Sequence, residues 1–124
     1  MLLVYLVITL VTIVANTAIA VADLRRSAFV VANATEVGVP ASWLPLLGAL
    51  KAAGAAGLLA GLVGVAVQVP LLTRLGLVSA AGLVLFFSGA LVTHLRAGVL
   101  HNLHVPAAYW LLAVASAGSL LVVG

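Results

Sequence analysis

Residues 1–23, MLLVYLVITLVTIVANTAIAVAD, run for 22 positions without Asp, Glu, Lys or Arg before the first carboxylate, Asp23. A helix rises about 1.5 Å per residue, so roughly 20 apolar residues cross the ~30 Å hydrocarbon core of a bilayer. The same signal recurs downstream, because residues 52–73, 75–95 and 97–124 also lack all four charged types. Four spans are predicted, near 2–22, 43–67, 75–95 and 107–123. Pro70 and the polar Thr73-Arg74 separate the second from the third; Gly98, His101-Asn102 and Pro106 separate the third from the fourth. Strands would leave backbone groups unpaired in lipid, and four short segments cannot close a barrel. The expected fold class is all-α: a four-transmembrane-helix bundle forming one domain over 1–124. The interfacial segment 23–42 should hold a short surface helix near 27–34 and a turn at Gly38–Pro40.

Composition agrees. Of 124 residues, 66% are hydrophobic and 6% charged, against about a quarter charged in ordinary soluble domains. That excludes a water-soluble enzyme, a disordered tail and a nucleic-acid binder. The net charge of +3 comes from scattered residues and makes no phosphate-binding patch. With no cysteine there is no disulfide, thiolate chemistry or cysteine-held metal centre. Ala18-Ile19-Ala20 resembles a signal-peptide cleavage site, but a basic leading region is missing and the apolar run is too long, so a retained span is expected.

Small and polar residues mark the inward faces. Tyr5, Thr9, Thr12, Asn16 and Asp23 fall on one stripe about 60° wide at 100° per residue. The stripe either bonds internally or lines a cavity between helices. Gly54, Gly57, Gly61 and Gly64 form a ribbon on the second span, with GxxxG at Gly57–Gly61. Close backbone approach over small residues is what drives helix association in lipid. A packing seam is the first reading of this ribbon and an oligomer interface through Gly57 and Gly61 the second. Ser79, Gly82 and Gly89-Ala90 around Phe86 are expected to pack the third span, and Ala113 and Ser116 the fourth. Ser42 is placed as the cap of the second span. Trp43 and Tyr109-Trp110 are placed in an aromatic belt at one membrane face. That face also receives Arg25, Arg26 and Arg96, so the positive-inside rule makes it cytoplasmic.

Groups capable of chemistry collect there too. Lys51 lies about 10 Å below the start of its helix. It either snorkels, pairs with Asp23 or Glu36, or meets a polar ligand group. His101 and His104 read as loop-surface residues, with no metal site; His94 ends its span where an imidazole can exchange a proton or bond a carbonyl. Candidate catalytic residues are Asp23, Glu36 and His94. Candidate ligand-binding residues are Asn16, Lys51, His94 and Arg96. No nucleophile elbow, P-loop or HExxH is present.

The stretches Gly38-Val39-Pro40, Trp43-Leu44-Pro45-Leu46-Leu47-Gly48 and Leu50-Lys51-Ala52-Ala53-Gly54-Ala55 resemble the second helix of DoxX-like membrane proteins. Gly82-Leu83-Val84-Leu85-Phe86-Phe87, running into Gly89-Ala90 and His94-Leu95-Arg96-Ala97-Gly98, carries the resemblance further. It implies a four-helix protein of the bacterial inner membrane, often an accessory to quinone-linked redox systems. Three functions are consistent with it. One is a non-catalytic subunit binding a quinone or isoprenoid lipid, with no intrinsic cofactor, and supporting a redox enzyme partner. The others are a small isomerase or hydrolase of an isoprenoid substrate, and an assembly factor.

Overall fold

A proline can open a helix as readily as end one, because the first turn has no use for its missing N–H. The computed structural model, which describes residues 1–124, shows this at Pro70. The third span starts there, not at 75, and Thr73-Arg74 belong to its first turns. The elements are α1 (Leu2–Leu24), α2 (Ala28–Glu36), a 3-10 turn (Ala41–Trp43), α3 (Leu44–Val67), α4 (Pro70–Ala97) and α5 (His104–Val123). The four long helices are each apolar enough to cross a membrane, with mean hydropathy between 1.7 and 2.3. The α3–α4 reversal is tight: Gln68 adopts the left-handed conformation at φ 56, ψ 48, and the Val69 N–H donates to the Gly64 carbonyl at 2.9 Å. Ser42 lies inside the 3-10 turn and makes no capping bond; Pro45 sits in the first turn of α3, where no backbone donor is needed.

The length of α4 sets its depth. Its 28 residues span about 42 Å against a core of ~30 Å, an excess of about 12 Å that tilt and the two headgroup layers share. Arg74 and Arg96 are separated by about 33 Å along the axis, enough to place one in each headgroup layer.

The long helices contact one another in the ring order α1, α3, α4, α5 and back to α1. The predicted α1 stripe is the face that turns inward: Tyr5, Thr9, Thr12, Asn16, Ala20 and Asp23 are all buried. Between α3 and α4 the glycine ribbon brings the backbones together. A Cβ on Gly61 would lie 2.7 Å from the Gly76 Cα, one on Gly57 would collide with the Ser79 side chain, and one on Gly54 would lie 2.6 Å from Leu83. The GxxxG face is thus occupied by α4 of the same chain, and the expectation of an oligomer through Gly57 and Gly61 loses its basis. Gly82 and Gly89 were expected in this seam but face open space; Gly76 and Ala80 take their place. Leu58, Ala80, Leu83, Phe87 and Ala113 form the apolar centre.

The aromatic belt also needs correction. Trp43 is exposed as expected. Tyr109, however, donates inward to the Ala15 carbonyl at 3.2 Å, and Trp110 Nε1 donates to Ser88 Oγ at 3.0 Å. Each indole or hydroxyl proton finds a partner within the bundle, which a headgroup would otherwise have to supply.

Residues 25–43 and 98–103 meet at one end of the bundle, and the Gln68-Val69 turn and both termini at the other. Single cysteines at Ser27 and Asn102 of this cysteine-free chain should react with impermeant thiol reagents from the cytoplasmic side, and one at Thr73 from outside. Reaction of Ser27 and Thr73 from the same side would contradict the four-span topology; reversed sidedness would contradict the orientation alone.

Candidate functional site

Asp23, in the last turn of α1, and Lys51, in the second turn of α3, form a buried ion pair. Lys51 Nζ lies 2.7 Å from Asp23 Oδ2, and the two residues are 9% and 2% exposed. Gly48 makes this possible. A Cβ there would come within 2.9 Å of the Asp23 Cβ and 3.0 Å of the Ala20 carbonyl oxygen, so only glycine lets α1 close onto α3 one turn from the lysine. The ammonium also stands 5.3 Å from the centroid of the Phe86 ring, within reach of a cation–π contact. Lys51 therefore points at Asp23 and Phe86, and of the roles open to it in the sequence the structure shows the pair with Asp23.

From Phe86 the contacts continue around the bundle. Phe86 meets Phe87 edge-on at 5.0 Å, Phe87 meets Tyr109 edge-on at 5.1 Å, and Tyr109 bonds back to α1 at Ala15. One belt of ion pair, cation–π, aromatic and hydrogen-bond contacts thereby joins α1, α3, α4 and α5. Its members look unrelated in sequence.

The polar stripe of α1 is only partly satisfied. Thr12 Oγ1 donates to the Ile8 carbonyl at 2.7 Å and lies 3.0 Å from Ser116 Oγ of α5. Asn16 Nδ2 donates to the Thr12 carbonyl at 3.0 Å. Tyr5 OH, Thr9 Oγ1 and Asn16 Oδ1 are buried and make no hydrogen bond with the protein. His94 shares this property: Nδ1 faces the Ala90 carbonyl at 3.0 Å, while Nε2 is buried and unpartnered. Leaving a buried polar atom unpaired costs roughly 1–3 kcal/mol.

The remaining candidates lie at the loop end. Glu36, at the end of α2, is 2.7 Å from His101 Nε2, and Asn102 Nδ2 donates to Asn33 Oδ1 at 2.9 Å. These two bonds fasten α2 to the α4–α5 loop, while Val30 and Ala34 pack against Leu44. His104 is exposed at the start of α5. Asp23 and Glu36 thus have separate partners, Lys51 and His101. An open cleft of about 440 Å³ lies between the end of α2 and the end of α4, with Thr35, Glu36, Thr93 and Arg96 on its walls. A second, also about 440 Å³, lies at the opposite end beside Gln68, Arg74 and Leu120. Neither reaches Asn16, Lys51 or His94, so the expected cavity mouth at Asn16 is not among them. Of the four expected ligand residues, Arg96 lines the first of these two clefts.

A protein-family model described as the DoxX-like family matches residues 7–116, most of the chain. No curated protein and no solved structure matches it.

Proposed function

The chain belongs to the DoxX-like family, and on that premise we propose that this multi-pass membrane protein is a non-catalytic subunit that binds a quinone or isoprenoid lipid and supports a membrane redox partner. One observation carries the proposal: Tyr5 OH, Thr9 Oγ1, Asn16 Oδ1 and His94 Nε2 are buried without a protein partner. Buried away from solvent, these atoms would be relieved by a bound molecule or a trapped water. The row runs about 16 Å along α1 from Tyr5 to Asn16, so it suits an elongated molecule carrying oxygens along its length rather than one small headgroup. The hydroxyls can donate to a carbonyl oxygen, while Asn16 Oδ1, and His94 Nε2 when Nδ1 gives its proton to the Ala90 carbonyl, can accept from a hydroxyl.

The ligand would enter between α1 and α5. Glycines pull α3 tightly against α1 at Gly48 and against α4 at Gly57 and Gly61. The α1–α5 seam has no such fastening: Gly118 faces open space, and the two helices are linked by the Thr12–Ser116 and Tyr109–Ala15 bonds. With no cysteine in the chain, electrons would be carried by the ligand or by the partner. The partner would dock at the loop end, where Arg25, Arg26 and Arg96 have no intramolecular ion pair.

The test is mass spectrometry of lipids retained after purification in mild detergent. The wild type should keep a quinone or isoprenoid well above its share of the membrane lipid, and Asn16→Leu should lose most of it while remaining folded. A retained-lipid profile matching the bulk membrane would overturn the proposal. It would favour an assembly factor instead, a reading that the closed Asp23–Lys51 pair supports.

A further inference from the structure

The open cleft at the loop end has an arrangement of charge and hydrogen-bonding capacity that the buried polar row does not share. Its walls carry one cation, Arg96, and one anion, Glu36. These two do not pair with each other. Arg96 makes no ion pair within the chain, and Glu36 is held through Oε1 by His101, leaving Oε2 without a partner. The two wall hydroxyls are already committed as donors: Thr35 Oγ1 gives its proton to the Val31 carbonyl at 2.9 Å and Thr93 Oγ1 to the Gly89 carbonyl at 2.8 Å. What both hydroxyls still offer is lone pairs. The cleft therefore presents one guanidinium donor and three acceptors, Glu36 Oε2, Thr35 Oγ1 and Thr93 Oγ1.

Position narrows the occupant. Arg96 sits one residue from the loop end of α4, a helix longer than the hydrocarbon core is thick, which sets the cleft at headgroup level. Below it the outer face of α4 carries exposed Val92 and Leu95 and the open Gly89, an apolar bed for a lipid tail.

We propose that this cleft binds the headgroup of a zwitterionic phospholipid bearing a primary ammonium. The phosphate would sit on the Arg96 guanidinium and the ammonium on Glu36, Thr35 and Thr93. A guanidinium matches phosphate oxygens with two parallel N–H donors. A primary ammonium has three N–H donors for the three acceptors, whereas a trimethylated ammonium has none. A purely anionic headgroup would meet Arg96 equally well but would bring negative charge against Glu36. The site is separate from the unpartnered atoms inside the bundle and does not rest on the quinone or isoprenoid reading.

The test uses the full-length protein, delipidated and reconstituted into nanodiscs holding equal parts phosphatidylethanolamine, phosphatidylcholine and phosphatidylglycerol, with retained lipids counted by native mass spectrometry. Wild type should retain phosphatidylethanolamine over each competitor by about fivefold, the scale of a half-exposed ion pair. Arg96→Gln should abolish retention of all three. Glu36→Gln should bring phosphatidylethanolamine down to the level of phosphatidylcholine. Because Glu36→Gln also loosens the bond to His101, His101→Gln is the companion variant, and it should keep the ethanolamine preference. Arg25→Gln, on the same face but outside the cleft, should leave retention unchanged. A wild-type preference for phosphatidylglycerol or phosphatidylcholine would overturn the proposal. So would equal losses in Arg25→Gln and Arg96→Gln, or the same loss in His101→Gln as in Glu36→Gln.

Discussion

Lys51→Met should lower the stability of the bundle in detergent by about 3–5 kcal/mol, the usual cost of stranding one charge of a buried pair. Methionine keeps most of the length of the lysine stem, so little volume is lost, and the change is mainly the loss of the ammonium's contacts with Asp23 and Phe86. Asp23 has nowhere to go: it is 2% exposed, and its Cβ is pressed against the backbone at Gly48. Asp23→Asn combined with Lys51→Met should recover most of the loss, because it leaves a neutral amide where the single variant leaves a bare carboxylate. Thermal or denaturant unfolding of the single and double variants measures both effects. A Lys51→Met protein as stable as wild type would mean that the pair contributes nothing and that the lysine merely snorkels, in which case removing it relieves an insertion cost.

How far the sequence alone could reach is clear from this pair. The α1 stripe was legible because Tyr5, Thr9, Thr12, Asn16 and Asp23 repeat at helical spacing in an otherwise apolar segment, and a helix turns any such repeat into one face. Lys51 stood out because a charge that deep in an apolar helix needs a reason. The choice between Asp23 and Glu36 as its partner was not legible. It depends on Gly48 admitting α1, and a single glycine among many announces no neighbour. The glycine ribbon of α3 was similarly half-readable. Its spacing showed a seam, and the expected Ser79 lies on the other side of it, but Gly76 stands there in place of Gly82 and Gly89, a matter of how α4 is rotated about its own axis. The bonds of Tyr109 to Ala15, Trp110 to Ser88 and Glu36 to His101 join positions far apart in the chain, and no local pattern encodes them.

The candidate site divides along the same line. Asn16 and His94 were singled out as polar groups on apolar helices, and both are buried with an unpartnered atom. Tyr5 and Thr9 belong with them. Nothing in the sequence separates them from the rest of the stripe, and a threonine on a membrane helix usually bonds back to the preceding turn. Thr12, Thr35, Thr93 and Ser88 do this, and Thr9 does not. The signal lies in that departure, which no sequence pattern carries.

Gly61→Leu should be the most damaging change on the apolar surfaces of the bundle. The obstacle is main chain on both sides: a Cβ on Gly61 would lie 2.7 Å from the Gly76 Cα, and one on Gly76 would lie 2.5 Å from the Gly61 Cα. No side chain can rotate to make room, so α3 and α4 must move apart, which also opens the close contacts at Gly57 and Gly64. Overpacking a core costs about 1–3 kcal/mol where side chains can adjust. Here the loss should reach or exceed that upper bound, lowering the midpoint of thermal unfolding in detergent by about 10 °C. Gly82→Leu is the matched control. It places the same side chain on α4 in open space, so it should change stability by no more than about 0.5 kcal/mol. Leu59→Ala should also be mild, since Leu59 is 52% exposed and faces lipid, so little protein packing is lost. If Gly61→Leu unfolds at the wild-type temperature, the α3–α4 seam is not where these helices meet. If it also changes the oligomeric state, the ribbon serves a second copy of the chain instead.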